Sequence, residues 1–356
     1  MEAWSACIAR LPDRDKDIHF LPQYLKVYER TYGHAPCLAY FGDKNNYVVQ
    51  PFVKRLLNEL PFLKDRNLEP YYDIANAYGY GGPIIRTEDP ASAPLLFKDF
   101  EHHFSKYCSD ENIAAEFTSL HPLLASQRNL VDTGLLAAQW QKEVVYLDVT
   151  VPDAELWRGV RKGHRSSIKK AEKSGVHVEK VAPTSAHFET FNSLYIETMQ
   201  RNNAAERWFF PAEYFRTCFE LLGESRVSLF FAYLEKELAA ASILMHDFDT
   251  VYYHFSGSDE RFYSYCTNNL MVYEIAKWSR QQGYKYFHLG GGVTSSTDDP
   301  LFIFKSGFSD RTAPLYTYGR IHHATTYGLL CALKKDHEKT VLGRELESDY
   351  FPLYRR

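Results

Sequence analysis

The chain has 356 residues, 45% of them hydrophobic and 15% aromatic, with a formal net charge of -4. This length can bury one large core or two ordinary ones, with two domains the better expectation, and the charge excludes a generally basic DNA-binding protein while allowing a local basic patch. Six cysteines, at 7, 37, 108, 218, 266 and 331, make no CxxC pair and no regular spacing, so neither a zinc site nor a disulfide framework is expected.

The first residues, Met-Glu-Ala-Trp-Ser-Ala-Cys, lack the basic flank and apolar run of a signal peptide. No stretch approaches the roughly 18 apolar residues of a spanning helix, and a soluble, cytoplasmic protein is expected. Leu38 to Val53 alternates around Gly42-Asp43-Lys44 and predicts a hairpin. A Tyr-rich strand follows near Tyr71 to Ala75, then glycines at Gly79 to Gly82, a helix over about Pro94 to Tyr107 and a strand over Ile113 to Ser119. Tyr78-Gly-Tyr-Gly-Gly-Pro83 reads either as a flap over a cleft between domains or as a plain turn. His102-His103 has no partner at metal-ligand spacing, and HExxH, GxSxG and the phosphate-binding GxxxxGK[ST] are absent, so no metal site is expected.

After Thr150-Val-Pro-Asp153, which supplies capping residues, comes a strongly basic segment. Leu156, Val160, His164, Ile168 and Ala171 fall on one helical face, with Arg158, Arg161, Lys162, Arg165, Lys169 and Lys173 opposite. One amphipathic basic helix is expected. Arg161 and Arg165, one turn apart, could fork a phosphate, the alternative being a merely solvated helix face. The aromatic residues around Tyr195 and Arg207-Trp-Phe-Phe-Pro211 face a ligand or the core.

A second hairpin is expected from Leu229 to Met245, turning at Glu235-Lys236-Glu237, then a strand at Val251 to Phe255, a turn at Gly257 to Glu260, a helix over about Asn269 to Gln282 and a strand at Tyr284 to Leu289. The order hairpin, strand, helix, strand thus occurs twice, which predicts two related α/β domains. The last strand stops on Gly290-Gly291-Gly292, where main chain can approach a ligand without a Cβ in the way. A polar loop with Asp298-Asp299 and then Pro-Leu-Phe-Ile-Phe-Lys305-Ser-Gly-Phe308 follows, so the segment reads as an active-site rim. From His322 the chain reads as a helix and a basic tail ending in Arg355-Arg356, which docks back or touches anionic lipid at the inner membrane surface.

Arg161-x-x-x-Arg165-x-x-Ile168-x-Lys170-Ala-Glu-Lys173-x-Gly175-Val176, with Leu289-Gly-Gly-Gly292 and Leu301-x-x-Phe304-Lys305-x-Gly307-Phe308, resembles the FemAB-type branch of the GNAT acyltransferase superfamily. The resemblance implies an α/β fold of tandem GNAT-like domains, each a mixed twisted sheet flanked by helices: residues 1–143, residues 144–320 and a helical tail, 321–356. It implies an enzyme that moves an acyl or aminoacyl group to an amine of a cell-envelope precursor or amino sugar. No tightly bound cofactor is implied. The donor is acyl-CoA or aminoacyl-tRNA and the acceptor a small or nucleotide-linked molecule. A non-catalytic module of the same fold, binding tRNA, a nucleotide-linked glycan or a membrane through the basic helix, is the alternative.

Within that resemblance Lys305 takes the role of steadying charge at the reacting carbonyl, and Phe304 walls the site. Amine attack on an ester or thioester needs oxyanion donors and a proton acceptor but no covalent nucleophile. The N–H groups of Gly290, Gly291 and Gly292 are candidate donors, and Asp298 and Asp299 the nearest candidate bases, with His254 and His288 as alternatives. Arg161, Arg165 and Tyr253 complete the expected substrate contacts. The stretch Arg261 to Asn269 has no glycine where GNAT enzymes resemble one another in cradling the CoA pyrophosphate, which favours aminoacyl-tRNA, and Asn268 reads as a helix cap.

Overall fold

Two helices, α1 (Glu2–Ala9) and α2 (Pro22–Tyr32), lead into a hairpin of β1 (Ala35–Gly42) and β2 (Tyr47–Leu56). Its register runs from Ala35↔Lys54 to Gly42↔Tyr47. In this computed structural model, which describes residues 1–64, 66 and 68–356, the hairpin is extended by β3 (Tyr72–Ala75), antiparallel to β2. The short β4 (Ile84–Arg86) also pairs with β2. Helix α3 (Ala93–Asp110) buries Phe97, Phe100, Phe104 and Cys108, a three-to-four-residue spacing that sets its inward face. It returns the chain to β5 (Ile113–Ser119), which lies parallel to β3, as such a crossover permits. Helix α4 (Ala125–Asp132) and β6 (Gln139–Asp148) follow.

The chain divides into two compact units, Met1–Trp140 with Leu315–Arg356, and Gln141–Pro314. In the second unit come α5 (Asp153–Gly159), α6 (Lys162–Lys173), β7 (Val176–Val181), α7 (Ser185–Arg201), α8 (Ala212–Leu222), β8 (Val227–Leu234), β9 (Glu237–Asp247), β10 (Thr250–Ser258), α9 (Thr267–Gln281), β11 (Tyr286–Gly290) and α10 (Pro300–Ser306). Its strands pair in the order β6, β11, β10, β9, β8, β7, with only β10 and β11 parallel. The core forms where Val145, Leu147, Ile168, Ala171, Phe287 and Leu289 pack with the inner face of α9. Burying side chains of this size contributes about 1.5–3 kcal/mol each before entropy is counted.

The repeat expected from the sequence is present as topology. In each unit a hairpin is joined antiparallel to a strand, which crosses through one helix, α3 or α9, to a parallel neighbour. Each unit is a mixed α/β sheet with helices, as expected. The boundaries differ from 1–143, 144–320 and a separate tail. The last strand, β12 (Thr312–Ile321), pairs antiparallel with β5 from Thr317↔Ser119 to Ile321↔Ala115. Residues from Leu315 onward therefore belong to the first unit.

The tail is packed rather than loose. Helix α11 (Ala324–Val341) and the C-terminal turn place Leu330 and Tyr354 in one cluster with Leu57, Phe62 and Leu63. Arg355 donates to both oxygens of the fully buried Asp73, Nε to Oδ2 at 2.7 Å and Nη2 to Oδ1 at 2.8 Å. Arg55 grips the same carboxylate from the other side at 2.8 and 2.9 Å. Arg355 is thus committed to an internal ion pair, which removes it from the lipid contact expected of the tail. No helix among the described residues is long and apolar enough to cross a membrane.

The Gly79 to Gly82 cluster is packed into the first unit. A Cβ on Gly79 would lie 2.3 Å from His19 Nε2, and Gly81 N–H donates to the Ser119 carbonyl. Asp17, His19 and His121 are buried beside it, with ligand-type atoms within 4.8 Å of one another. His121 Nδ1 accepts from Leu123 N–H, so its Nε2 carries the proton toward Asp17 Oδ2, 3.4 Å away, while His19 Nδ1 stands 2.5 Å from Oδ1. The trio reads as a hydrogen-bonded cross-link within the first unit.

Breaking one arm of a buried ion pair is costly because the charge left behind stays desolvated. Arg355→Ala is expected to lower the stability of the first unit by about 2–3 kcal/mol, less than a full loss because Arg55 remains. Urea denaturation of the full chain checks this, and an unchanged midpoint would remove the anchoring role.

Candidate active site

The parallel pairing of β10 and β11 runs only from Thr250↔Tyr286 to Tyr252↔His288. Strand β10 continues to Ser258 through an irregularity at Tyr253/Phe255, while β11 ends at Gly290 after a second one against β6. The segment that leaves β11 there is the glycine turn. Gly290 has φ +76, a left-handed conformation that costs glycine little.

The three glycines meet the protein's own side chains. A Cβ on Gly290 would stand 3.3 Å from Lys305 Nζ, one on Gly291 2.7 Å from Lys142 Cδ, and one on Gly292 2.5 Å from Asp299 Oδ1. The sequence suggested glycines cleared for a ligand; their first function in the fold is to let two lysines and an aspartate press on the main chain.

Lys305, in the last turn of α10, donates from Nζ to the Gly291 carbonyl at 2.8 Å. Lys142, on β6, donates to the next carbonyl, Gly292 O, at 2.7 Å and to Val293 O at 3.3 Å. Burial, and then the nearby Lys142 charge, draw the Lys305 ammonium down to about 7, against a smaller opposing pull from Asp299. Lys142 is lowered too, by burial. The lysine at the end of α10 is thus far easier to deprotonate than an exposed one.

Asp299 is the N-cap of α10. Its Oδ1 accepts from Leu301 and Phe302 N–H at 2.9 and 3.1 Å, and Oδ2 accepts from Thr294 N–H and Oγ1 at 2.8 and 3.0 Å. Burial would raise this carboxyl, but those donors outweigh it and bring it to about 2. So strong a cap is a poor proton acceptor at neutral pH, and it serves the site by fixing α10 and the turn. Asp298 is exposed on the loop, with its N–H donating to Ser296 Oγ.

The expected single basic helix is two helices. Val160 and Arg161 are extended, with ψ of 131 and 147, so α5 ends and α6 restarts there. Leu156, Val160, Ile168 and Ala171 are nevertheless buried, as the apolar face required. Tertiary bonds hold the break: Arg161 N–H donates to the Gly307 carbonyl at 2.8 Å, and Arg165 Nη1 donates to Val160 O at 2.6 Å and Arg158 O at 3.1 Å. Arg165 is therefore occupied as a clasp across the break and does not form a free fork with Arg161. Arg161, Lys162, Lys169, Lys170 and Lys173 are exposed.

His164 ties this break to the lysine helix. Its Nε2 donates to the Phe304 carbonyl at 2.8 Å, and its ring stands edge-on to Phe308 at 4.8 Å. A Cβ on Gly307 would fall 2.2 Å from that ring, which gives the Phe304-Lys305-x-Gly307-Phe308 run its glycine. Phe304 is partly buried and wedged between His164 and Phe308. Tyr253 lies in the same apolar cluster as Phe304, edge-on to Phe287 at 6.2 Å, and faces the core rather than the glycine turn.

The two candidate histidines each have a partner within the second unit. His288 Nδ1 accepts the Gly290 N–H at 3.1 Å, which commits one of the three expected main-chain donors. His254 sits at the β10 irregularity, 3.5 Å from the Tyr214 hydroxyl. Tyr195 and Phe210 pack around Phe255 in an aromatic core. Helix α9 begins at Thr267 after Cys266 at φ +57, so a cysteine takes the left-handed turn before the helix, and Asn268 lies inside the helix instead of capping it.

Residues 158–298 match the acetyltransferase (GNAT) domain family. The chain is 25% identical over 218 residues to UDP-N-acetylmuramoylpentapeptide-lysine N(6)-alanyltransferase of Weissella viridescens, a stretch covering 61% of this chain and 63% of that protein. Less than two thirds of the relative's length is thus spanned. Among solved structures it is similar to FemX, at 15% identity and a TM-score of 0.69 over 92% of this chain and 97% of that one. It also resembles L-PGS from Bacillus licheniformis, at 11% identity and a TM-score of 0.51 over 91% and 96%. The second unit carries a GNAT acyltransferase domain. The sequence match to the alanyltransferase supports the FemAB-like resemblance, and FemX shares the fold.

The contact between Gly307 and His164 is a packing constraint with a measurable coupling. Gly307→Ala is expected to cost about 1–3 kcal/mol by overpacking, and clearly less in a His164→Ala background. Chemical denaturation of the four proteins of this cycle checks it; equal costs in both backgrounds would show that the ring does not set the glycine.

Proposed function

We propose that the protein is an aminoacyltransferase of the cytoplasm, moving an aminoacyl group from an ester of tRNA to an amine of a nucleotide-linked cell-envelope precursor. The observation that carries this reading is the lysine on the glycine turn: Nζ of Lys305 is 2.8 Å from the Gly291 carbonyl, at the mouth where β11 ends, and its ammonium is drawn down to about 7. The alanyltransferase of Weissella viridescens, similar over 218 residues, supports an aminoacyl donor and an amine acceptor.

The chemistry follows from that poise. Neutral Lys305 accepts the proton released as the amine nitrogen bonds to the acyl carbon. The ammonium so formed faces the tetrahedral oxyanion and stabilises it in a site of low dielectric. It then gives the proton to the leaving ribose oxygen as the ester C–O bond breaks, and Lys305 is neutral again. No covalent intermediate on the enzyme and no bound cofactor is required. Phe304 walls the acyl group, the N–H groups of Gly291 and Gly292 supply main-chain donors, and the exposed guanidinium of Arg161 beside Lys162 offers charge to a phosphate of donor or acceptor.

Lys305→Ala is expected to lower kcat for transfer from a charged tRNA by about 10²–10³-fold with KM little changed. Undiminished turnover in a folded mutant would remove Lys305 from the chemistry, whereas no transfer by the unmutated protein would favour a binding module built on the exposed face of α6. Calorimetric titration with acetyl-CoA tests the other donor class: saturable binding would move the assignment to acyl-CoA.

A further inference from the structure

Lys142 has a place in the site that the sequence does not signal. It comes from β6, before the basic segment, and reaches the glycine turn 150 residues along the chain, where it donates to Gly292 O. Its stem lies over Gly291, whose missing Cβ gives it room, and the Glu143 carbonyl closes on the same α-carbon at 2.8 Å from where a Cβ would be. Lys305 holds the preceding carbonyl from the opposite element, α10. Two ammonium groups on adjacent carbonyls of one short turn repel each other, and Asp299 beneath Gly292 is the counter-charge to both.

We propose that Lys142 is a positioning residue of the transfer site: it pins the Gly292 carbonyl while Lys305 pins Gly291, so that two ammonium groups share one short turn. This rests on the aminoacyl-transfer reading for its catalytic meaning, though the clamp itself is a property of the folded chain. The charged groups facing Lys305 are Lys142 from β6 and Asp299 from the α10 N-cap. From α6, His164 approaches through the Phe304 carbonyl, and burial holds it toward the neutral form. Removing Lys142 would relieve the repulsion, shift Lys305 toward permanent ammonium and free the Gly292 carbonyl. At neutral pH the amine form needed to accept a proton would then be scarce.

The test follows Lys305 directly in the full chain by competitive labelling with an amine-reactive reagent, the modified peptide being quantified by mass spectrometry between pH 5.5 and 10.5. In the unmutated protein the labelling midpoint is expected near 7. Lys142→Gln should raise it by about one unit or more, Lys142→Arg should leave it near the original value, and Asp299→Asn should lower it. Melting curves confirm folding; if Lys142→Gln is unfolded, Lys142→Met, which keeps the stem over Gly291 and removes the charge, decides. A midpoint unmoved in the folded neutral variant of Lys142 overturns the proposal. Activity separates the two readings: shifted labelling with no aminoacyl transfer leaves the clamp and removes the function. Under the proposal, kcat of Lys142→Gln at pH 7 falls about tenfold and recovers as pH is raised, which a merely structural loss would not do.

Discussion

A backbone turn of three glycines, compressed between Lys142, Lys305 and Asp299, is the constraint on which the site depends. Each contact explains another. The lysines need carbonyls to donate to, and the turn supplies two in succession. Asp299 gives the lysines a counter-charge and also caps α10, so the helix that carries Lys305 is anchored by the same carboxylate. The energetic cost of desolvating two cations is partly offset by these bonds and is otherwise expressed as easier deprotonation of Lys305. A surface lysine would remain an ammonium at neutral pH; this one stands close to its point of change.

The fold places the turn where strands part. Parallel pairing of β10 and β11 stops at Tyr252↔His288, and the two chains continue separately, β10 toward α9 and β11 into the glycines. Arrangements of this kind put ligands at the C-terminal ends of parallel strands, because main-chain groups there are unpaired and helices start nearby. Behind the turn, the interrupted basic segment packs on α10 through Arg161 N–H and His164. The first unit repeats the same strand order, yet its corresponding glycine cluster is filled by His19 and tied by Gln127, whose Nε2 donates to Gly81 O and Pro83 O at 2.7 and 3.2 Å. The two halves share a topology and differ in what occupies the turn.

Much of this order was legible in the residues. Alternation gave both hairpins, the strand Ile113 to Ser119 matches β5 residue for residue, and the helix expected over about Pro94 to Tyr107 is α3, Ala93–Asp110. Those signals are local, and local period reflects burial on one face. What the residues hid is what depends on distant partners. The break at Val160 and Arg161 is made by bonds from Gly307 and within the clasp of Arg165, against a helical pattern that continues through it. The return of β12 to the first unit is a pairing across roughly two hundred residues, with no local mark. Lys142 sits in an ordinary alternating strand, and no spacing ties it to Gly292. Asp299 was visible as a carboxylate near the site, but Asp-Pro before an apolar run is also a cap signal, and the cap is what it forms. Of the residues singled out, Lys305, Asp299 and Gly290 to Gly292 are brought together, while Arg165 clasps the helix break, Phe304 and Tyr253 pack in the apolar cluster and Asp298 is exposed on the loop.

The central claim is that Lys305 acts as an amine poised near neutrality. Single-turnover transfer of a radiolabelled aminoacyl group to saturating amine acceptor, followed between pH 5.5 and 9, reads that poise in the reaction itself. The account predicts a rate that rises with an apparent pKa near 7 and then levels off, because the neutral form of Lys305 is the one that accepts the proton. A rate independent of pH across that range, or one still climbing at pH 9 with the ionisation of the acceptor amine, would contradict it.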